Sequence, residues 1–261
     1  MTVDSRYFSS RTEDTSLLWK QLQRQTSENG LHGKVSERIE KCLNIRFGKE
    51  PAEYVDQLQR PEFYIPGLRT QAWYDPAEFP WLAALERAHP RIAAECIELA
   101  KAGVLEKRPE GRGGRWATSH LYFLGGKSEE LCARCPETSR LIEQTPGATS
   151  AGLVYFASLA PGTHLEPHCG PTNARLRCHL GVRIPEGCSI RVGAETRQWT
   201  EGKCLVFDDS FEHQVWHVGT TVRLVLVLDI WHPDLTPEET RAISGLMRAA
   251  AARPGGQANA H

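Results

Sequence analysis

Apolar residues in the first part of the chain recur at three- and four-residue steps. Leu18, Trp19 and Leu22 follow that spacing, and Val35, Ile39, Cys42 and Leu43 repeat it, which predicts helices over Ser16–Leu22 and Val35–Leu43. The surrounding residues 1–60 are polar and read as a helical extension packed outside the main core. Pro80–Leu85 and Ile92–Ala102 predict a second helical pair, separated at His89-Pro90 because the residue before a proline is steered away from helical backbone. Gly111-Arg112-Gly113-Gly114 predicts a flexible loop.

Beyond that loop the pattern changes. Short runs rich in β-branched and aromatic residues are broken by Gly, Pro and Asn, and they predict strands over Trp116–Leu124, Gly152–Leu159, Arg175–Ile184, Cys188–Val192, Cys204–Phe207 and Thr221–Ile230. Pro237–Ala251 returns to helical spacing and closes the pattern. Helices first and closely spaced strands afterwards argue for an α+β fold, with helices backing an antiparallel double sheet. The boundaries expected are a helical extension at 1–60, a main domain at 61–252 and a frayed Pro/Gly-rich tail at 253–261.

Composition narrows the class. With 261 residues, 40% hydrophobic, and a formal net charge of −1, the chain can bury one large core and shows no basic excess for nucleic acid. No apolar run follows a basic start, and the longest apolar stretch, Leu224–Leu228, stops at Asp229. A cytoplasmic protein with no membrane partner is therefore expected. The eight cysteines then read as reduced thiols rather than a disulfide framework. Cys132-Ala133-Arg134-Cys135 is a lone CxxC without the second pair a zinc knuckle needs, and reads as chance spacing.

Chemistry concentrates between His164 and Pro233. His168 is followed 45 residues later by His213, and Arg223 stands ten residues beyond. A facial iron(II) site in a small β-barrel takes one histidine from an early strand and one from a late strand, with an arginine just beyond for the far carboxylate of an oxo acid. The usual pattern is His-x-Asp/Glu, but position 170 is glycine, so the carboxylate ligand is missing. A histidine taken alone is more often a packed or surface residue than a ligand; the shared spacing favours ligands here. Asp208 and Asp209 read two ways: as a turn before His213, or, for Asp209, as an outer acceptor for a metal-bound water or a ligand imidazole. Period-two alternation puts Arg175, Arg177 and His179 on one face of a strand, a costly inward face unless anions meet it there.

Three segments carry a resemblance. They are Pro167-His168-Cys169-Gly170-Pro171-Thr172-Asn173 running on to Leu180, Phe207-Asp208-Asp209-Ser210-Phe211-Glu212-His213-Gln214-Val215-Trp216, and Asp229-Ile230-Trp231-His232-Pro233. In this order they resemble the aspartyl/asparaginyl β-hydroxylases, iron(II)- and 2-oxoglutarate-dependent oxygenases whose site has two histidines and a glycine. Weaker similarity begins near Val35 and includes Pro66-Gly67-Leu68 and Trp73-Tyr74-Asp75-Pro76, so that it covers about four fifths of the chain.

The resemblance implies a double-stranded β-helix, or jelly roll, of the cupin kind. It implies Fe(II) on His168 and His213, O2 as co-reactant, and 2-oxoglutarate held by Arg223, His179 and Trp116. Arg177, and Arg175 beside it, would meet the carboxylate of the substrate. Ala157 stands where the family carries a serine that touches the cosubstrate, with Ser158 adjacent as its substitute, and Thr118 replaces the glutamine that reads peptide substrate in animal members. The tetratricopeptide region and membrane anchor of those members have no counterpart in this sequence. A free amino acid, a carrier-bound aspartyl group or a small peptide bearing Asp or Asn is therefore expected rather than an epidermal-growth-factor-like domain. Two alternatives remain open: a halogenase with chloride at the site left by Gly170, and a barrel that binds an organic acid without turnover.

Overall fold

The computed structural model describes residues 34–104, 106–107, 115–150 and 152–251. The helix expected at Ser16–Leu22, the loop at 111–114 and the tail at 253–261 lie outside the described residues.

Helix α1 (Lys34–Arg46) places Ile39, Cys42 and Leu43 on one buried face. That face packs on Ile243, Leu246 and Met247 of the closing helix α6 (Pro237–Ala251), with Phe63, Ile65 and Leu68 completing a third core. Arg38 ties the two helices through a two-pronged pair to Glu239, at 2.6 and 2.7 Å. Helices α2 (Leu82–Arg87) and α3 (His89–Lys101) form the expected pair. The break between them falls at Ala88 rather than at His89-Pro90. Pro90 lies in the first turn of α3, where a missing N–H leaves no bond unmade.

The strands form two antiparallel sheets. β1 (Trp73–Tyr74), β2 (Glu106–Lys107), β3 (Trp116–Phe123) and β4 (Gly126–Lys127) precede helices α4 (Glu129–Arg134) and α5 (Pro136–Gln144). Eight further strands follow: β5 (Leu153–Leu159), β6 (Thr163–His168), β7 (Arg175–Arg183), β8 (Cys188–Val192), β9 (Glu195–Arg197), β10 (Cys204–Phe207), β11 (His213–His217) and β12 (Arg223–Trp231). The larger sheet has the order β1-β10-β7-β12-β5-β3-β2, with β4 on β3, and the smaller has β6-β11-β8-β9. From β5 to β12 the chain passes back and forth between the sheets, which is the winding of a double-stranded β-helix.

Strand alternation separates two cores. Leu176, Cys178, Leu180, Leu224, Leu226 and Leu228 face outward under α2, α3, α4 and α5. Tyr155, Ala157, Leu159, Ile190, Val192, Val215, Val225 and Val227 face inward, between the sheets. β7 and β12 are therefore apolar on one side and carry Arg175, Arg177, His179, Arg223 and Asp229 on the other, inside the barrel. Cys132 and Cys135 are buried in the outer core, and all eight cysteines are free thiols. Among the described residues no helix is long and apolar enough to cross a membrane.

Candidate active site

The two histidines meet on neighbouring strands. His168 ends β6 and His213 begins β11, and the antiparallel register sets them opposite each other, with ring centroids 4.1 Å apart. Each Nδ1 lies against a main-chain carbonyl two residues earlier, His168 on Glu166 at 2.7 Å and His213 on Phe211 at 2.9 Å. A carbonyl can only accept, so each Nδ1 carries the proton and each Nε2 keeps its lone pair, the tautomer a metal ligand needs. Burial and the neighbouring His168 hold the His213 imidazole well below its usual pKa, hence neutral. The pair fits a divalent metal of the iron, cobalt or zinc group. Among the described residues no group of three or more His, Cys, Asp and Glu is placed to share one.

The space beside Gly170 is filled from elsewhere. A Cβ built on Gly170 would fall 2.5 Å from Cγ of Asp209, and the Gly170 N–H donates to the Asp209 carbonyl at 2.6 Å. Asp209 thus puts a carboxylate into the space that a side chain at 170 would take. It is buried and pairs with Arg177 Nη1 at 3.1 Å.

Arg177 is shared. Its Nε lies 3.0 Å from Asp229, and Arg175 Nη1 lies 3.0 Å from the other oxygen of Asp229, which also accepts from the Leu153 N–H. Burial alone would raise the Asp229 carboxyl, yet Arg175 and Arg177 hold it below its ordinary value. The inward orientation expected of Arg175 and Arg177 is present. What the sequence did not reveal is that both already have carboxylate partners, in a buried cluster of two arginines and two aspartates.

A second region lies deeper in the barrel. Arg223 is 3% exposed, its guanidinium sits 4.6 Å over the Trp199 ring, and its Nε and Nη1 have no hydrogen-bond partner among the described residues. Burial lowers its pKa to about 10, so it stays a cation near neutrality. His179 stacks on the same indole, accepts from Trp199 Nε1 at 3.3 Å, and meets Phe207 edge-on. Burial, then Arg223 and Arg177, keep His179 neutral, and since Nδ1 accepts, Nε2 carries its proton outward as a donor. A buried cation with open donors beside a neutral imidazole donor is an anion site.

Trp116 pairs with Leu159 on the inward face and packs on the inner core. Ser158 does not join them. It lies between Ala157 and Leu159, which face inward, and so shares the outward face of Val154 and Phe156, across from Leu224. An adjacent strand residue cannot stand in for its neighbour, because alternation sends it to the other side of the sheet. Sequence reading also passed over Trp199, which lies outside any strand between Gln198 and Thr200 and carries no periodic signal.

The profile of the aspartyl/asparaginyl beta-hydroxylase family matches residues 86–233. The human protein named aspartyl/asparaginyl beta-hydroxylase is 38% identical over 209 residues, which is 76% of this chain and 28% of that protein. Human aspartate beta-hydroxylase domain-containing protein 2 is 35% identical over 212 residues, covering 75% of this chain and 58% of its own length. Mouse aspartate beta-hydroxylase domain-containing protein 1 is 44% identical over 129 residues, 47% of this chain and 36% of that protein. The chain therefore spans only part of the length of these relatives.

Proposed function

Since this chain belongs to the aspartyl/asparaginyl β-hydroxylase family, we propose that it is an iron(II)- and 2-oxoglutarate-dependent dioxygenase that hydroxylates the β-carbon of an aspartyl or asparaginyl unit. The observation that carries this reading is the pairing of two metal-competent histidines with a buried arginine, Arg223, whose Nε and Nη1 donors are open. A dicarboxylic oxo acid matches both ends, one at the metal and one at the guanidinium.

His168 and His213 would hold the metal through Nε2. Bound iron(II) with 2-oxoglutarate supplies oxygen activation coupled to decarboxylation of the oxo acid to succinate. The chain's own work is positioning. Arg223 binds the far carboxylate, His179 donates from Nε2, and Trp199, Phe207 and Trp116 keep water away from the chain of the acid. On the substrate side, Arg177 Nη1, now on Asp209, is the donor that a substrate carboxylate takes up. Thr118, which is buried on β3, offers no long amide to read a peptide, which favours small substrates. The same reading keeps the enzyme in the cytoplasm, in line with eight free thiols. The chloride alternative is disfavoured by the Asp209 carboxylate beside Gly170, which would repel a second anion there.

The test is purified protein given iron(II), 2-oxoglutarate and air, with aspartate, asparagine and short peptides containing them. Substrate-dependent succinate with a gain of one oxygen in the product is the expected result. Absence of coupled turnover across that panel, with 2-oxoglutarate still bound, would favour a non-catalytic acid-binding barrel instead.

A further inference from the structure

The end of the barrel that holds Arg223 carries a second buried donor in want of an acceptor. Thr163 opens β6, is 2% exposed, and its Oγ1 has no hydrogen-bond partner among the described residues. Leaving a buried hydroxyl unmatched destabilises a fold, and such groups are rare unless water or a ligand completes them.

The neighbours of Thr163 cannot complete it. The register of the smaller sheet sets Thr163 opposite His217 and His217 opposite Cys188, all on the face of Leu165, Val215 and Ile190 that looks into the barrel. His217 Nε2 lies 2.7 Å from the Thr221 carbonyl and therefore carries the proton. Its Nδ1 then accepts from the Cys188 thiol at 3.2 Å and from the Gly219 N–H at 3.3 Å. Both ring nitrogens are used, so the imidazole offers the threonine no acceptor.

The larger sheet supplies the other half. Arg223 lies opposite Leu159, the last residue of β5, and only Ala160, Pro161 and Gly162 separate Leu159 from Thr163. The Gly162 N–H is bonded to the His217 carbonyl at 2.8 Å, which folds this short link tightly over the end of the barrel. Cys188, on the wall that carries Thr163, is close enough to act on the charge of Arg223. One hydroxyl and one guanidinium therefore enter the same end of the barrel from the two sheets, both buried and both with open donors.

We infer that Thr163 Oγ1 and Arg223 bind one carboxylate together, the far carboxylate of 2-oxoglutarate, with the hydroxyl donating to one of its oxygens and the guanidinium to the pair. The inference rests on the dioxygenase reading above and adds a positioning residue on the opposite sheet. It also gives the buried Thr163 hydroxyl the acceptor it lacks.

The test uses the full chain with Mn(II) in the absence of oxygen and measures binding of 2-oxoglutarate, and of 2-oxobutyrate, which lacks the far carboxylate, by calorimetry. Thr163→Val is expected to weaken 2-oxoglutarate about tenfold, to leave 2-oxobutyrate unchanged, and not to lower the unfolding midpoint of the ligand-free protein; Thr163→Ser is expected to bind as the parent. Parent-like binding of 2-oxoglutarate by Thr163→Val, with binding lost in Arg223→Met, would overturn the role of Thr163 and leave the function intact. Equal loss of both acids together with a lower ligand-free midpoint would make Thr163 merely structural and overturn the inference as well. If Arg223→Met also bound 2-oxoglutarate normally, the dioxygenase reading would fall with it.

Discussion

The carboxylate of Asp209 occupies the room that a side chain on Gly170 would need. A Cβ at 170 meets Asp209 Cγ at 2.5 Å and its two oxygens at 2.6 and 2.7 Å. Asp209 cannot simply swing aside, because Arg177 holds one oxygen and its backbone carbonyl is bonded to the Gly170 N–H. Gly170→Ala should therefore cost about 1–3 kcal/mol through overpacking. Gly170→Ala combined with Asp209→Ala should recover most of the loss attributable to residue 170. Urea denaturation of the two single variants and the double closes the cycle. Strictly additive losses would show that the two residues do not compete for this space.

The cluster Arg175–Asp229–Arg177–Asp209 makes an asymmetric prediction. Asp229 serves both arginines and is 1% exposed, whereas Asp209 serves Arg177, which keeps Asp229 in any case. Asp229→Ala leaves two buried guanidinium groups short of countercharge and should cost about 3–5 kcal/mol. Asp209→Ala should cost clearly less in the same denaturation assay. Equal losses would contradict the division of partners seen here.

Metal binding should depend on the facing histidines and not on the CxxC pair. His168→Ala and His213→Ala are each expected to lower the affinity for Mn(II) or Fe(II) by more than tenfold, at the scale by which even supporting residues affect metal sites. Cys132→Ala should bind metal as the parent does, since Cys132 and Cys135 are buried in the outer core beneath the helices. Metal content after dialysis separates these cases. Retained metal in His213→Ala would displace the site from this pair.

The parts of this site that were readable in the sequence are those fixed by alternation and spacing. The inward face of Arg175, Arg177 and His179 follows from period two, because Leu176, Cys178 and Leu180 must go to the opposite, apolar side. The strands Cys188–Val192 and Cys204–Phe207 and the helix Pro237–Ala251 coincide with their predicted limits. Six strands were not legible. β1, β2 and β4 have two residues each and β9 has three, too short for a pattern to show, β6 is mostly polar, and β11 alternates for only five residues. Helices α4 and α5 were missed as well, although Ser128 caps the first by accepting from the Leu131 N–H and Pro136 begins the second. Partners distant in sequence were beyond reach: nothing in a linear pattern pairs Arg177 with Asp229 or Arg175 with the same carboxylate.

Asp208 provides a pH prediction. Its carboxyl is fully buried, accepts from Gln59 Nε2 and from the Ser210 N–H, both at 2.9 Å, and is pushed up to about 7, chiefly by burial, with Asp209 adding to the effect. In the unfolded chain an aspartate titrates near 3.9. Between about pH 4 and pH 7 the folded protein thus holds a proton that the unfolded chain has lost. Over that window stability must fall as pH rises, and the effect levels off above about 7. Asp208→Asn keeps an acceptor for Ser210 and presents an amide to Gln59, whose Oε1 has no partner among the described residues of the parent. The variant should gain on the parent steadily from pH 5 to pH 7, by a few kcal/mol at most, and show no further gain at pH 8. Chemical denaturation of both proteins at these pH values gives the difference directly, and other titrating groups largely cancel in it. A difference that does not change with pH would mean that Asp208 ionises normally despite its burial.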